Sequence, residues 1–141
     1  MIDIDNQTDF HPDFSKIEAI ADALGAGDIE LIICDDAYIH DLNREYRGVD
    51  KATDVLSFPY EPMPMAPIGS IVISADHVKQ GAERFGHSPS DEFALLFLHG
   101  LLHLQGFDHE TDDGEMRRKE EEIIGRLGLP SSLIVRTEEE Q

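Results

Sequence analysis

Apolar and polar residues alternate over residues 1–6, the two-residue period of a strand with one buried face. The period then lengthens. Phe14, Ile17, Ala21 and Leu24 recur at helical spacing and predict a helix over 13–24, closed by Gly25 and Gly27. The run Leu31-Ile32-Ile33-Cys34 predicts a buried strand over 28–34, and a helix follows over 35–46 with Ala37, Tyr38, Leu42 and Tyr46 able to share a face. Val55-Leu56-Ser57-Phe58 reads as a short strand entering a loop that holds Pro59, Pro62, Pro64 and Pro67. A strand over 69–74 and a helix over 75–85 come next. Ser88-Pro89-Ser90-Asp91 then combines a capping serine, a first-turn proline and an acid at the positive end of the dipole. The helix it opens, over 91–104, is apolar nearly all round and is expected to run through the core until Gly106 ends it. Thr111 is expected to cap a charged last helix over 112–127, and 137–141 reads as a frayed acidic tail.

Strands and helices mix without clean βαβ periodicity, so the expected class is α+β, with a mixed sheet packed against helices. A length of 141 residues suits one domain, drawn over 1–136. With 40% hydrophobic and 29% charged residues, disorder, collagen and coiled coil are excluded as overall classes. The longest apolar stretch, around 94–104, is interrupted by His99 and His103 and is too short to cross a bilayer. The N-terminal residues are acidic from Asp3 and lack the pattern of a signal peptide, so the expected address is cytoplasmic. The lone cysteine, Cys34, is expected to be a small buried hydrophobe.

Eleven basic against thirty acidic residues give a net charge of −19. Such a surface repels nucleic acid and anionic membrane over most of its area and attracts cationic partners. It argues against a protein that coats DNA. An enzyme acting on RNA through a local basic patch stays open.

The chemistry concentrates in His99-Gly100-Leu101-Leu102-His103-Leu104-Gln105-Gly106-Phe107-Asp108-His109. Histidines four apart leave the same helix face and can reach one ion. Gly106 permits the reversal that lets His109 supply a third nitrogen. Three neutral imidazoles suit a divalent transition metal, most often zinc, and leave a position open for substrate. The bland alternative, histidines satisfied within the core, requires a hydrogen-bond partner for each on an otherwise apolar helix. The spacing matches that of metzincin peptidases, except that Gly100 stands where their general-base glutamate belongs. Glycine cannot take a proton, which disfavours peptidase chemistry.

This motif resembles the signature of the YbeY-type endoribonucleases, or rRNA maturation factors. A second block, Leu42-Asn43-Arg44-Glu45-Tyr46-Arg47-Gly48 followed by Thr53-Asp54-Val55-Leu56-Ser57-Phe58-Pro59, is similar to that family's upstream motif. The resemblance covers roughly residues 30–127. It departs at Ser70, where the family usually has an aspartate. It implies a zincin-like α+β fold whose central apolar helix carries the metal motif. One zinc ion per chain would be held by His99, His103 and His109, with Arg47 as the important basic residue. The implied activity is cleavage of single-stranded RNA in 16S rRNA maturation and ribosome assembly or quality control.

Arg44, Arg47 and Lys51 fall within eight residues of a cation-poor chain. Arg47 is expected to meet phosphate, offsetting charge that develops during transfer, whereas Arg44 is expected to pair with a neighbouring acid. Asp108 is read either as orienting a ligand histidine or as capping the turn. Asp54 and Ser57 are expected to shape the loop and strand edge, and Asp35-Asp36 and Asp112-Asp113 to serve as helix caps. His11, His40, His77 and His87 are expected on the surface, and Met63-Pro64-Met65 in a plain loop. The expected partners are single-stranded RNA and the small ribosomal subunit with its basic proteins, with no DNA and no membrane. Either water or the ribose 2′-hydroxyl could attack. The alternatives are a ribosome-associated assembly protein with a mainly structural zinc and a metallopeptidase-like hydrolase.

Overall fold

The computed structural model describes residues 1–130. The expected domain limit at 136 and the acidic tail over 137–141 lie outside them.

Alternation at the start of the chain forms strand β1 (Ile2–Asn6), and helix α1 (Ser15–Ala23) buries Ile17 and Ile20. Strand β2 (Ile29–Cys34) leads into helix α2 (Asp36–Arg47), capped by Asp35, whose side chain accepts from the Tyr38 amide. Strands β3 (Val55–Pro59) and β4 (Gly69–Ser74) are followed by helices α3 (Ala75–Phe85), α4 (Pro89–Leu104) and α5 (Glu115–Leu127). The α4 cap is the expected one: the Ser88 hydroxyl accepts from the Asp91 amide. The α5 start differs. Gly114 occupies the cap position, and the Asp112 carboxylate, not Thr111, takes the amides of Gly114 and Met116. Two free amides at a helix start favour a carboxylate over a hydroxyl.

The sheet order is β1-β2-β4-β3, with β1, β2 and β4 parallel and β3 antiparallel to β4. The fold is a mixed-sheet α+β domain, although β1-α1-β2 forms one parallel crossover that the periodicity did not announce. Its two faces are used unequally. Leu31, Ile33, Ile71 and Ile73 pack into the main core with α1, α3, α4 and α5. On the other face, Cys34, Leu56 and Val72 meet Ile39 of α2 in a smaller cluster. Helix α4 is buried from Glu92 through Leu98, which explains why it is apolar all round. No helix among the described residues is long and apolar enough to cross a membrane.

Two histidines expected on the surface are instead half-buried in carboxylate pairs. His77 Nδ1 lies 2.6 Å from an Asp36 oxygen that also accepts from Ser74 Oγ, joining the starts of α2 and α3. His87 Nε2 lies 2.7 Å from the buried Glu92 carboxylate. His40 is paired with Asp50 but exposed. Cys34 is fully buried, and its thiol is pushed up to about 12, first by burial and then by the charges of Asp35 and Asp36. It stays protonated, as a buried hydrophobe should.

Candidate metal centre

The last two turns of α4 carry His99 and His103 on one face, and the chain then reverses. Gly106, at φ 96°, adopts the left-handed conformation that other residues resist, and its amide bonds back to the His103 carbonyl. His109 returns beside the pair. One ligand atom from each of the three histidines lies within 4.8 Å of the others. All three are partly buried.

The partners of the imidazoles decide what this cluster can hold. His103 Nδ1 donates to the Phe107 carbonyl at 3.0 Å, and His99 Nδ1 donates to Glu120 Oε2 at 3.2 Å. With Nδ1 protonated, each neutral ring carries its lone pair on Nε2. Those two Nε2 atoms face each other at 3.2 Å. When both rings are neutral these lone pairs oppose each other, and a shared cation relieves the repulsion. Burial, first, and then the nearby His99 hold His103 below its ordinary value, which favours the neutral ligand form. The donor set therefore fits a divalent transition metal, and among the described residues no fourth histidine, cysteine or carboxylate joins it.

Glu120 was not singled out in the sequence. It sits on α5, is fully buried, and follows Met116 and precedes Ile123 along the buried stripe of that helix. An acid on an apolar stripe was the available signal. Carboxylates in this position fix the orientation of a ligand histidine and raise its basicity. Asp108 takes the other role considered for it: its side chain accepts from the Glu110 amide and shapes the turn.

Gly100 faces the sheet. A Cβ there would meet Ile71 Cγ2 at 3.0 Å, Ser57 Oγ at 3.1 Å and Val55 Cγ2 at 3.2 Å. The Ser57 hydroxyl also donates to the Gly100 carbonyl at 2.9 Å, tying β3 to the histidine helix. Asp54 holds the entry to β3 by accepting from the Val55 amide. Glycine in place of the motif's glutamate thus stands where the helix is in close contact with the sheet.

Arg47 ends α2 and is exposed, with no partner among the described residues, whereas Arg44 pairs with Asp41 at 3.0 Å. No described contact joins Arg47 to the histidines. The link runs through β3: Phe58 meets Tyr46 of α2, and the adjacent Ser57 binds α4 on the opposite face.

The family model described as Endoribonuclease YbeY matches residues 6–128. The chain belongs to the YbeY endoribonuclease family. A protein named Endoribonuclease YbeY from Nautilia profundicola is 64% identical over 139 residues, covering 99% of this chain and 100% of its own. One of the same name from Wolinella succinogenes is 58% identical, covering 99% of both chains. The solution structure of TM1509 from Thermotoga maritima is similar in fold, with a TM-score of 0.58 and 25% identity over 90% of this chain and 89% of that one. Ser70, where the motif resemblance leads one to expect an aspartate, is buried on the sheet face opposite Ile71, the residue that meets α4.

Proposed function

We propose that this chain is a zinc-dependent endoribonuclease that cuts single-stranded RNA during ribosomal RNA maturation in the cytoplasm. The observation that carries the metal part is the pair of Nε2 atoms held 3.2 Å apart with both Nδ1 positions already donating. Membership of the YbeY family supports RNA as the substrate. His99, His103 and His109 would hold the ion, one per chain. When bound, the ion supplies Lewis-acid polarisation of a phosphoryl oxygen. Glu120 and the Phe107 carbonyl fix the orientation of two of the ligands. Arg47 offers a free guanidinium that can take two phosphate oxygens at once and offset developing charge. Three protein ligands rather than four among the described residues favour a catalytic centre over a structural zinc. The packing of α4 beneath β3 and β4 supports a zincin-like architecture, while the crowding around Gly100 disfavours peptide hydrolysis.

The net charge of −19 supports docking on cationic proteins, and we assign the basic proteins of the small ribosomal subunit as partners. The deciding experiment incubates zinc-loaded protein with single-stranded RNA and with casein, with and without chelator. RNA cleavage abolished by chelator is expected. Cleavage of casein, or of neither substrate, overturns the proposal. In parallel, elemental analysis should find about one zinc per chain, lost in a His99→Ala, His103→Ala double variant.

A further inference from the structure

Most cations of this acidic chain are engaged. Among the described lysines and arginines, only Arg47, Lys51 and Arg126 have no ion-pair or hydrogen-bond partner for the side chain. Two of these three lie within one short stretch at and just beyond the end of α2, where Tyr46 directly precedes Arg47 in the sequence. Tyr46 is 62% exposed, and Phe58 braces it edge-on, with ring centroids 5.5 Å apart and planes at 69°. The loop beyond is pinned as well: the buried Asn43 side-chain amide donates to the Lys51 carbonyl at 2.9 Å, and the Asn43 backbone carbonyl accepts from the Val49 amide.

The other exposed tyrosines have the wrong neighbours for an anionic ligand. The Tyr60 hydroxyl is bonded to the Glu30 carboxylate, and Tyr38 stands on the first turn of α2 beside Asp35 and Asp36. At Tyr46 a braced, exposed ring lies between Glu45 and Arg47 in the sequence, and with Asp50 already paired to His40, Arg47 and Lys51 leave the stretch net positive. The complement of this ring and charge is a planar, π-faced group flanked by phosphates.

We propose that Tyr46 is a base-stacking residue: an unpaired base of the RNA lies on its exposed ring while Arg47 and Lys51 take the adjacent phosphates. The inference rests on the endoribonuclease reading and deepens it by placing the substrate strand along β3. It also supplies a physical basis for single-strand preference. A base within a duplex has both faces covered by its neighbours, whereas an unpaired one is free to stack, whatever its identity. The bracing strand carries the register to the histidines, because Phe58 holds Tyr46 on one face and the preceding Ser57 is bonded to Gly100 on the other.

The chain has no tryptophan and three tyrosines, so Tyr38→Phe, Tyr60→Phe protein reports Tyr46 emission alone. Titrations use an oligouridine, an abasic ribose-phosphate oligomer of equal length and an RNA duplex, all in chelator so that binding is read without cleavage. The oligouridine should quench Tyr46 strongly, and the abasic and duplex probes weakly. In the otherwise wild-type chain, Tyr46→Leu keeps an apolar contact with Phe58 and should weaken oligouridine binding about 5- to 150-fold, the range for one stacked base. Tyr46→Phe should stay close to wild type. Equal quenching by the abasic probe, or unchanged binding by folded Tyr46→Leu, overturns this inference and leaves the enzyme reading standing. Quenching by an acidic peptide but not by RNA assigns the patch to a protein partner and also overturns it. If wild-type protein neither binds nor cuts RNA, the reading beneath it falls too.

Discussion

At the scale of single residues, the site depends on which protons the imidazoles carry. His103 is held below its ordinary 6.5, chiefly by burial, so the unfolded chain binds that proton more readily than the folded one. Its contribution to stability is complete above about pH 6.5 and is lost as the pH falls through the lower folded value. In chelator, the urea midpoint should therefore drop between pH 7 and 5, and His103→Gln should flatten that dependence; equal slopes would remove His103 as a cause. Glu120 acts on the neighbouring ligand. Glu120→Gln retains an acceptor for His99 but loses the charge, and zinc affinity measured by chelator competition should fall about 10- to 100-fold. Unchanged affinity would show that the buried carboxylate does not tune the metal. Arg47→Ala separates chemistry from folding. The residue is exposed and has no partner among the described residues, so stability should change by less than about 0.5 kcal/mol. Single-turnover RNA cleavage should fall about 100- to 1000-fold with zinc content intact. Arg47→Lys should recover part of this, and Arg44→Ala should be milder. Near wild-type cleavage by Arg47→Ala removes it from the mechanism.

At the scale of elements, the contact of α4 with β3 and β4 sets where the histidines stand. Gly100 is a point of close approach, and Ser57 fastens it. Gly100→Ala gains about 1 kcal/mol in helix propensity but pushes a methyl against Ile71, Ser57 and Val55, and overpacking of this kind costs about 1–3 kcal/mol. Net destabilisation by denaturant titration is expected, and Gly100→Glu should fail to fold stably rather than become a peptidase. A stable, zinc-binding Gly100→Glu protein would contradict this account of the missing glutamate. The outcome for the helices follows the same logic. Helix α4 was legible because a serine cap, a first-turn proline and an apolar run all point the same way. The start of α5 was misplaced because Thr111 and Asp112 are both plausible caps, and only the fold shows which side chain meets the free amides.

At the scale of the molecule, the charge of −19 creates a long-range field that no single contact represents. Cosedimentation with small ribosomal subunits should be strong at low salt and weaken as salt rises, because the Debye length shrinks from about 10 Å at 0.1 M to about 3 Å at 1 M. Association absent at low salt, or indifferent to salt, would count against docking on basic proteins. What the sequence determined by itself was what lies within a few turns of chain. The order of the elements and the three-histidine motif were readable because helix period, caps and the reversal at Gly106 are local properties. Only the tertiary structure decided the parallel pairing of β1 with β2 and β4, the placing of β3 at the edge, and the carboxylate pairs of His77 and His87. It also decided the choice of Glu120, which lies 21 residues from His99 in a run of similar acids. Each of these requires knowing which distant surface an element is packed against. Periodicity marks a buried face, but the partner of that face is selected by the packing of the whole chain.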